Sequence, residues 1–226
     1  MKILYITDIH NNIKIISSLI YEISSSDLII IGGDITNFGC ADDAKNIIKE
    51  IEKYNKNVLA VTGNCDNIEI EHYLKFHNIN LHKNVIKHNN NIIITGISGS
   101  LTTPFNTPNE YTVNQFNNIT NKICTMLGNS QKIKSKDIIL VTHQPPIDTI
   151  NDTINKNMHL GSKAIRQLIE KISPLICLTG HIHEGIGIDK IDNTAIVNPG
   201  PAKDGYFAII QLNKNNIDDI KLNKIQ

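Results

Sequence analysis

One stretch near the amino terminus decides the fold: residues 2–34, which read KILYITDIHNNIKIISSLIYEISSSDLIIIGGD. A strand candidate from Lys2 to Thr7 begins it, with an apolar run over Ile3–Ile6; isoleucines at helical spacing follow, and a second apolar run spans Leu28–Ile31. Short apolar runs bounded by turn residues predict buried strands, and apolar residues three or four positions apart predict a helix. The order strand, helix, strand favours two parallel strands joined by a crossover helix.

This alternation continues along the chain before it gives way to strands alone. Helices are predicted near residues 13–23, 42–51, 69–76, 113–127 and 162–172. Further strands are predicted at 58–62, 85–87, 92–97, 137–142, 175–179, 194–197, 206–212 and 217–222, with a hairpin turn at 89–91 and loops at 99–112 and 144–161. The order predicts an α/β fold with two mixed β-sheets face to face and helices outside. Because no segment resembles a linker, we expect one domain over residues 1–226.

Composition excludes several classes of protein. The 226 residues carry 22 basic and 22 acidic side chains and are 40% apolar. This balance argues against wholesale disorder and against nucleic-acid binding through bulk positive charge. No apolar run approaches the ~20 residues of a membrane span. Four scattered cysteines without a CxxC pair are typical of a reducing compartment, so we expect a cytoplasmic protein without membrane or nucleic-acid partners.

Polar motifs directly follow five of the predicted strands. They are Asp8-Ile9-His10, Gly32-Gly33-Asp34, Gly63-Asn64-Cys65-Asp66, His143 and Gly180-His181-Ile182-His183. Ligands of open α/β sheets bind beyond the carboxyl ends of the strands, so we expect these motifs to meet. In the first and last motifs the polar residues are two positions apart and share one side of an extended segment.

The residue types in these motifs predict a metal centre. Two carboxylates, one amide oxygen and four imidazoles are ligands of intermediate hardness, which suit first-row metal ions. Seven ligands are too many for one structural ion but suit two metals that share a carboxylate. The glycines before Asp34, Asn64 and His181 allow the backbone to bend sharply at the strand ends.

The set of motifs resembles the calcineurin-like metallophosphoesterase family, whose pattern is Asp-x-His, Gly-Asp, Gly-Asn-His-Asp/Glu, His and Gly-His-x-His in that order. The resemblance spans residues 3 to about 210. Similarity to a small prokaryotic single-domain branch is carried by HQPP at 143–146, HLGS at 159–162 and NPGPA at 198–202. The resemblance implies a four-layer α-β-β-α sandwich, with two mixed sheets flanked by helices.

The resemblance also implies a role for each ligand, and the types of donor atom suggest which metal they bind. It assigns one metal to Asp8, His10 and His183, the other metal to Asn64, His143 and His181, and the bridging position to Asp34. Mn²⁺ is the first choice for both ions because a mixed oxygen and nitrogen shell suits it, and Fe, Zn, Co and Ni stay open as alternatives.

The reaction implied is hydrolysis of a phosphoester by in-line attack of a hydroxide held between the two metals. Loops 99–112 and 144–160 are expected to frame the pocket. A small phosphodiester is favoured over a phosphomonoester by resemblance to family members with a cysteine in the third motif. The alternative is a non-catalytic scaffold of the same fold, and the oligomeric state is not predicted.

Three residues are predicted as catalytic groups and three as substrate contacts. The catalytic set is Cys65, Asp66 and His143, and the substrate set is Asn11, Cys65 and His159. Cys65 stands where the family has a general-acid histidine, and a thiol with a reference pKa of ~8.5 is a weaker match for that task. Asp66 is also expected to steady its loop. Asn11 has a competing interpretation as a helix cap, and His159 one as a solvated loop residue.

Overall fold

A computed structural model describes residues 1–88, 92–128, 137–155, 158–214 and 216–225. Within these ranges the helices are α1 (Lys14–Ser18), α2 (Ile20–Ser25), α3 (Ala41–Glu52), α4 (Ile68–Phe76), α5 (Val113–Gly128) and α6 (Lys163–Ile172). The strands are β1 (Lys2–Ile6), β2 (Leu28–Ile31), β3 (Val58–Ala60), β4 (Val85–Lys87), β5 (Ile93–Ile97), β6 (Ser100–Leu101), β7 (Glu110–Tyr111), β8 (Ile138–Thr142), β9 (Thr153–Asn155), β10 (Met158–His159), β11 (Ile176–Thr179), β12 (Gly187–Ile191), β13 (Thr194–Asn198), β14 (Tyr206–Asn213) and β15 (Asn216–Lys224).

Two large mixed sheets organise these strands, as predicted. The five-stranded sheet has the order β15-β14-β1-β2-β3, and the six-stranded sheet has the order β12-β13-β11-β8-β5-β4. Strands β1, β2 and β3 are parallel, and so are β13, β11, β8 and β5. The antiparallel strands flank the parallel strands of each sheet: they are β14 and β15 in the first sheet and β12 and β4 in the second.

Alternation along β1 sends its side chains into two different cores. Leu4 and Ile6 pack in a cluster with the helical residue Ile47, on the outer face of the five-stranded sheet. Ile3 and Tyr5 pack in a second cluster that lies between the two sheets. Successive side chains of a strand point to opposite faces, so a strand covered on both faces is apolar at every position.

A third cluster completes the layers on the far side of the molecule. Phe116 of α5 and Ile165 of α6 pack with Leu140 of β8, on the outer face of the six-stranded sheet. Ser162 caps α6 as predicted, because its side chain accepts a hydrogen bond from the backbone N–H of Ile165. The layer order is therefore helix, sheet, sheet, helix, and the predicted four-layer α-β-β-α sandwich is confirmed.

Several local predictions were wrong in detail. The helix predicted near 13–23 is two helices, because Leu19 leaves helical geometry with φ −100° and ψ 8° between α1 and α2. Both predicted loops contain short strands, β6 and β7 in the first and β9 and β10 in the second. Elements of two or three residues are too short to give a periodic signal. The predicted hairpin turn at 89–91 lies outside the described residues, although β4 and β5 do pair antiparallel.

Strand β12 was missed altogether, for a reason of position in the sheet. It pairs with β13 alone and lies at the edge of the six-stranded sheet, where its first four residues alternate between partly buried and exposed and Ile191 is buried. Its sequence GIDKI has a glycine and two charged residues, which lower its apparent strand propensity. Across the described ranges, no helix is both long enough and apolar enough to cross a membrane.

Candidate metal centre

The carboxyl ends of β1, β2, β3, β8 and β11 meet and carry the predicted motifs to one place. The backbone N–H of Asp8, after β1, donates to the carbonyl of Gly33, after β2, at 3.0 Å. The N–H of Gly180, after β11, donates to the carbonyl of His143, after β8, at 3.1 Å. The two sheets are joined there by the N–H of His181, which donates to Asp8 Oδ2 at 3.2 Å.

Asp8, His10 and His183 form the first group of potential ligands. His183 Nε2 lies 3.3 Å and His10 Nε2 lies 3.9 Å from the same carboxylate oxygen, Asp8 Oδ1. One ligand atom from each of the three residues falls within 4.8 Å of the other two. The other oxygen of Asp8, Oδ2, accepts hydrogen bonds from the Thr7 hydroxyl and the His181 N–H, which leaves Oδ1 as the oxygen that faces the two imidazoles.

Asp34 lies between the two halves of the centre. Its Oδ2 atom is 3.7 Å from His10 Nε2 and 3.5 Å from His143 Nε2. Its Oδ1 atom accepts a hydrogen bond from the backbone N–H of Cys65 at 2.8 Å. A single oxygen that faces an imidazole from each sheet has the position expected of a bridging ligand.

Asn64, His143 and His181 form the second half. His143 Nε2 lies 3.0 Å from Asn64 Oδ1, and His143 Nδ1 lies 2.9 Å from the carbonyl oxygen of Gly32. A carbonyl can only accept, so Nδ1 carries a proton and Nε2 is the nitrogen directed at the cluster. The His181 ring lies 5.1 Å from the His143 ring, centroid to centroid, but His181 is outside the three groups whose ligand atoms fall within 4.8 Å.

The hydrogen bonding of one buried atom indicates whether these residues fit a metal ion. Among the described residues, His10 Nε2 is buried and has no hydrogen-bond partner. A buried polar atom left without a partner costs about 1–3 kcal/mol, and a metal ion between His10 and the carboxylates of Asp8 and Asp34 would remove that cost. The donors present are carboxylate, amide oxygen and imidazole, and they fit divalent metal ions.

The charges of the centre perturb its own side chains strongly. Burial alone would raise the pKa of Asp34, but the charge and hydrogen bond of His143 hold it well below its usual range. Burial alone would lower the pKa of His143, but the carboxylates of Asp34 and Asp8 outweigh it and raise the pKa to about 9. Burial and the charge of His143 lower the pKa of His181 to about 4. A metal ion would therefore bind His143 only after the release of its Nε2 proton.

Positive φ angles recur in the turns that carry the predicted ligands. Five non-glycine residues have positive φ there: Asp8 (56°), His10 (46°), Asn11 (63°), Asp34 (47°) and His181 (66°). Each such conformation costs about 1 kcal/mol or more and persists only where the surrounding structure imposes it. The turns after three different strands share this conformation, and four of the five residues, all except the exposed Asn11, are predicted ligands.

Two glycines allow the loops to approach closely enough. Gly33 has φ +103°, and a Cβ added there would lie 2.6 Å from His143 Nδ1. A Cβ added at Gly63 would lie 2.6 Å from Asp34 Cγ and closer still to other atoms of Asp34. Real Cβ atoms do not approach other heavy atoms this closely, so both positions require glycine.

Cys65 lies inside the cluster rather than at its rim. Its sulfur, a nitrogen of His10 and an oxygen of Asp34 fall within 4.8 Å of one another. Burial raises the pKa of the Cys65 thiol, and the charge of Asp34 raises it further. The side chain is therefore a protonated thiol at neutral pH in the absence of a metal.

Asp66 has the contacts of a positioning residue. Its carboxylate accepts hydrogen bonds from the N–H groups of Ile35, Thr36 and Gly63 and from the Thr36 hydroxyl, at 2.8–3.1 Å. These bonds tie the turn after β2 to the turn after β3. Burial, together with the charge of Asp34, raises the pKa of Asp66 to about 6. The described contacts favour its expected loop-steadying role over direct participation in the reaction.

Asn11 and His159, the two predicted substrate contacts outside the cluster, lie in different environments. The side chain of Asn11 is exposed, and its interpretation as a helix cap was wrong because α1 is preceded by Ile13 without a side-chain cap. His159 is not a free loop residue, since its Nδ1 lies 2.7 Å from Oδ1 of the buried Asp152. It lines a cleft of about 620 Å³ that also contains Glu184, the residue after His183.

Three residues that the sequence did not predict hold Asn64 in place: two of them bind it directly, and the third binds one of those two. Asn64 Nδ2 donates to the Thr107 hydroxyl at 3.1 Å, and the backbone N–H of Asn109 donates to the Asn64 carbonyl at 3.1 Å. Glu110 in turn accepts from Thr107. These residues lie more than 40 positions from Asn64 in a proline-containing segment, so nothing local in the sequence marks them.

Comparison with known proteins gives consistent matches. The model of the family described as calcineurin-like phosphoesterase matches residues 1–185. An uncharacterized protein of Methanocaldococcus jannaschii is 41% identical over 212 residues, which cover 92% of this chain and 90% of that protein. A crystal structure from Thermus thermophilus is similar over 100% of this chain and 99% of its own, with a TM-score of 0.75 and 14% identity. A protein described as a novel archaeal phosphodiesterase is similar over 100% of both chains, with a TM-score of 0.57 and 16% identity.

Proposed function

The chain belongs to the calcineurin-like phosphoesterase family, and on this premise we propose that it hydrolyses small phosphoesters, phosphodiesters foremost, at a centre of two divalent metal ions. The observation that carries the proposal is the position of Asp34 Oδ2, 3.7 Å from His10 Nε2 and 3.5 Å from His143 Nε2. One carboxylate oxygen between two imidazole nitrogens of different motifs is the arrangement expected of a carboxylate shared by two ions, and it supports the proposal.

The distances between the predicted ligand atoms support two sets of ligands, one for each ion. Asp8 Oδ1 faces His10 and His183, so these three residues would hold the first ion. Asn64 Oδ1 and His143 Nε2 face one another at 3.0 Å, and with the adjacent His181 they would hold the second ion. Mn²⁺ remains the proposed metal, since the mixed oxygen and nitrogen donors suit it.

Bound divalent ions supply Lewis acidity, which polarises phosphoryl oxygens and lowers the pKa of a water molecule. The residues of the chain do the remaining work. Asp8 and Asp34 stay ionised because the neighbouring histidines lower the pKa of both carboxyls. Asp66 joins the turn that carries Asp34 to the turn that carries Asn64, because it accepts hydrogen bonds from a backbone N–H group of each. The cleft of about 620 Å³ is lined by His159 and by Glu184, the residue after His183, and it is the proposed place for a small alcohol group of the substrate.

A metal-dependence assay tests the proposal. Protein loaded with Mn²⁺ should hydrolyse bis-nitrophenyl phosphate, and more slowly nitrophenyl phosphate, and removal of the metal by EDTA should abolish both activities. His181→Ala should lower kcat/KM at least about 100-fold because a ligand is lost. His72→Ala is the matched control, since His72 is exposed on α4 and should be replaceable without effect.

The alternative is the scaffold, and the same assay distinguishes it. A protein that binds Mn²⁺ but hydrolyses neither ester with Mn²⁺, Fe²⁺, Zn²⁺, Co²⁺ or Ni²⁺ would contradict the proposed function. That result would favour a non-catalytic protein of the same fold that binds a partner through this face.

Cys65 gives a second test of the chemistry. We propose that its thiol donates a proton to the leaving group, and burial supports this by keeping the thiol protonated. An imidazole donates more readily near neutral pH, and general-acid catalysis contributes about 10²–10⁴-fold to rate. Cys65→His should therefore raise kcat for alkyl esters about 10-fold or more, with little change for nitrophenyl esters, whose leaving group needs no proton.

Cys65→Ser is the control for the size of the side chain. It should slow alkyl esters more than nitrophenyl esters, because a serine hydroxyl is a weaker acid than a thiol. Equal effects of each substitution on both kinds of ester would rule out a proton-donating role and leave Cys65 as a packing residue.

A further inference from the structure

The segment from Gly99 to Tyr111 clamps the turn that carries Asn64. Asn109 is the centre of the clamp: its side-chain Nδ2 donates to the carbonyl of Gly63 at 2.9 Å and to the Thr62 hydroxyl at 3.1 Å. Its backbone N–H donates to the Asn64 carbonyl at 3.1 Å. Pairing of β6 with β7 closes the segment at its base. The turn after β3 is therefore held by a segment that contributes no predicted ligand.

The amide group of Asn64 has a definite polarity in this clamp. Its Oδ1 atom faces His143 Nε2 at 3.0 Å, and its Nδ2 atom donates to the Thr107 hydroxyl at 3.1 Å. Only the oxygen of an amide can bind a cation, because the NH₂ group is a donor without an available lone pair. Rotation of the amide by 180° would present hydrogen atoms to the metal, so the acceptor on the Nδ2 side matters for ligand function.

Glu110 causes the hydroxyl oxygen of Thr107 to act as the acceptor for Asn64 Nδ2. Glu110 Oε1 accepts hydrogen bonds from the hydroxyls of Thr103 and Thr107, both at 2.6 Å, and from the N–H of Thr107 at 2.9 Å. Burial alone would raise the pKa of Glu110, but these hydrogen bonds lower it to about 2. An ionised carboxylate can only accept. The single hydroxyl proton of Thr107 is therefore committed to Glu110, and the oxygen of Thr107 is left to accept from Asn64.

We propose that Glu110 is a positioning residue that sets the amide polarity of Asn64 through the Thr107 hydroxyl, and thereby the affinity of one of the two metal sites. The chain of donors runs in one direction, from Asn64 Nδ2 to Thr107 Oγ1 to Glu110 Oε1. This inference rests on the proposed function, because it assumes that Asn64 is a ligand. Hydrogen bonds that orient the ligands of a metal contribute about 10–100-fold to its affinity.

The segment offers a control that distinguishes an effect on the orientation of the Asn64 amide from a general effect on the stability of the loop. Thr103 and Thr107 donate to the same oxygen of Glu110 at the same distance, 2.6 Å. Thr107 contacts Asn64, whereas the hydroxyl of Thr103 instead accepts from the backbone N–H of Phe105. Removing either hydroxyl weakens the hold on Glu110, but only removal of the Thr107 hydroxyl takes away the oxygen acceptor of Asn64 Nδ2, which then keeps only the weak sulfur acceptor Cys65 Sγ at 3.6 Å.

Calorimetric titration with Mn²⁺ tests the proposal directly. Glu110→Gln and Thr107→Val should weaken one of the two Mn²⁺ sites about 10-fold and leave the other unchanged. Thr107→Ser keeps the hydroxyl and should restore wild-type affinity, and Thr103→Val should leave both sites unaltered. Circular dichroism melting of each variant confirms that the folded protein is being titrated.

Two results would overturn the inference. One is wild-type Mn²⁺ affinity at both sites in Glu110→Gln and Thr107→Val; the other is an equal loss in Thr103→Val and Thr107→Val, which would mean that the segment only stabilises the loop. Failure of the proposed function has a different outcome: Mn²⁺ binds with the expected pattern of affinities, but no ester is hydrolysed. A wild-type protein that binds no Mn²⁺ would contradict both.

Discussion

Asp34→Asn is expected to abolish phosphoester hydrolysis and the binding of two metal ions together, with kcat/KM reduced about 10³-fold or more. The hydrogen bond from the Cys65 N–H to Asp34 Oδ1 fixes which atom of the new amide is the oxygen. The NH₂ group then replaces Oδ2, the atom that lies between His10 and His143. A donor would stand where two cations need a shared anion, and loss of even one electrostatic contact of this kind costs about 10²–10³-fold in rate.

Metal content and turnover of the purified variant check this expectation. Plasma emission spectrometry should find fewer than two ions per chain, while circular dichroism shows a folded protein because the exchange preserves size. Asp42→Asn is the matched control, since the Asp42 side chain is 79% exposed and forms a helical ion pair with Lys45 on the surface. Two tightly bound ions in Asp34→Asn, with turnover within tenfold of wild type, would contradict a bridging role.

Gly63→Ala is expected to damage the fold and the centre at once. A Cβ at this position would lie 2.6 Å from Asp34 Cγ and closer still to the Asp34 backbone nitrogen, so the turns after β2 and β3 must separate. Overpacking of this kind costs about 3 kcal/mol. For a chain of this size we expect the melting temperature to fall by about 10 °C, and the separation should also remove the Cys65 hydrogen bond from Asp34.

A second glycine provides the comparison. Gly128 ends α5, and an added Cβ there would meet no heavy atom of the described residues within 4 Å. Gly128→Ala should be neutral or stabilise by up to ~1 kcal/mol through helix propensity. Thermal melts of both variants with and without Mn²⁺ measure the difference. A melting temperature for Gly63→Ala within about 2 °C of wild type, with Mn²⁺ binding intact, would show that the turns can absorb the methyl group.

The fold was predictable because its evidence is local in the sequence. The run over Lys2–Ile6 is apolar at every buried position, and the structure shows why: Leu4 and Ile6 face the helices while Ile3 and Tyr5 face the second sheet. A strand covered on both faces has to be apolar throughout. Strand β12 escaped prediction because it lies at a sheet margin, where burial imposes no such pattern.

The membership of the centre was predictable for a similar reason. Parallel strands end at the same edge, so a polar motif after each strand is enough to predict that Asp8, Asp34 and His143 lie together. The structure places these three within 4.8 Å of one another through one ligand atom each. The identity of the motif residues therefore determined which side chains meet.

Tertiary structure alone decided the polarity and protonation of that centre. The sequence does not show that the Cys65 N–H holds Asp34 Oδ1, or that Thr107 and Glu110 direct the oxygen of Asn64 toward His143. The Cys65–Asp34 and Asn64–Thr107 contacts join residues 31 and 43 positions apart. Hydrogen-bond direction depends on which donor and acceptor the folded chain brings within about 3 Å. Strand and helix periodicity records which face of a segment is buried, but it carries no information about such partners.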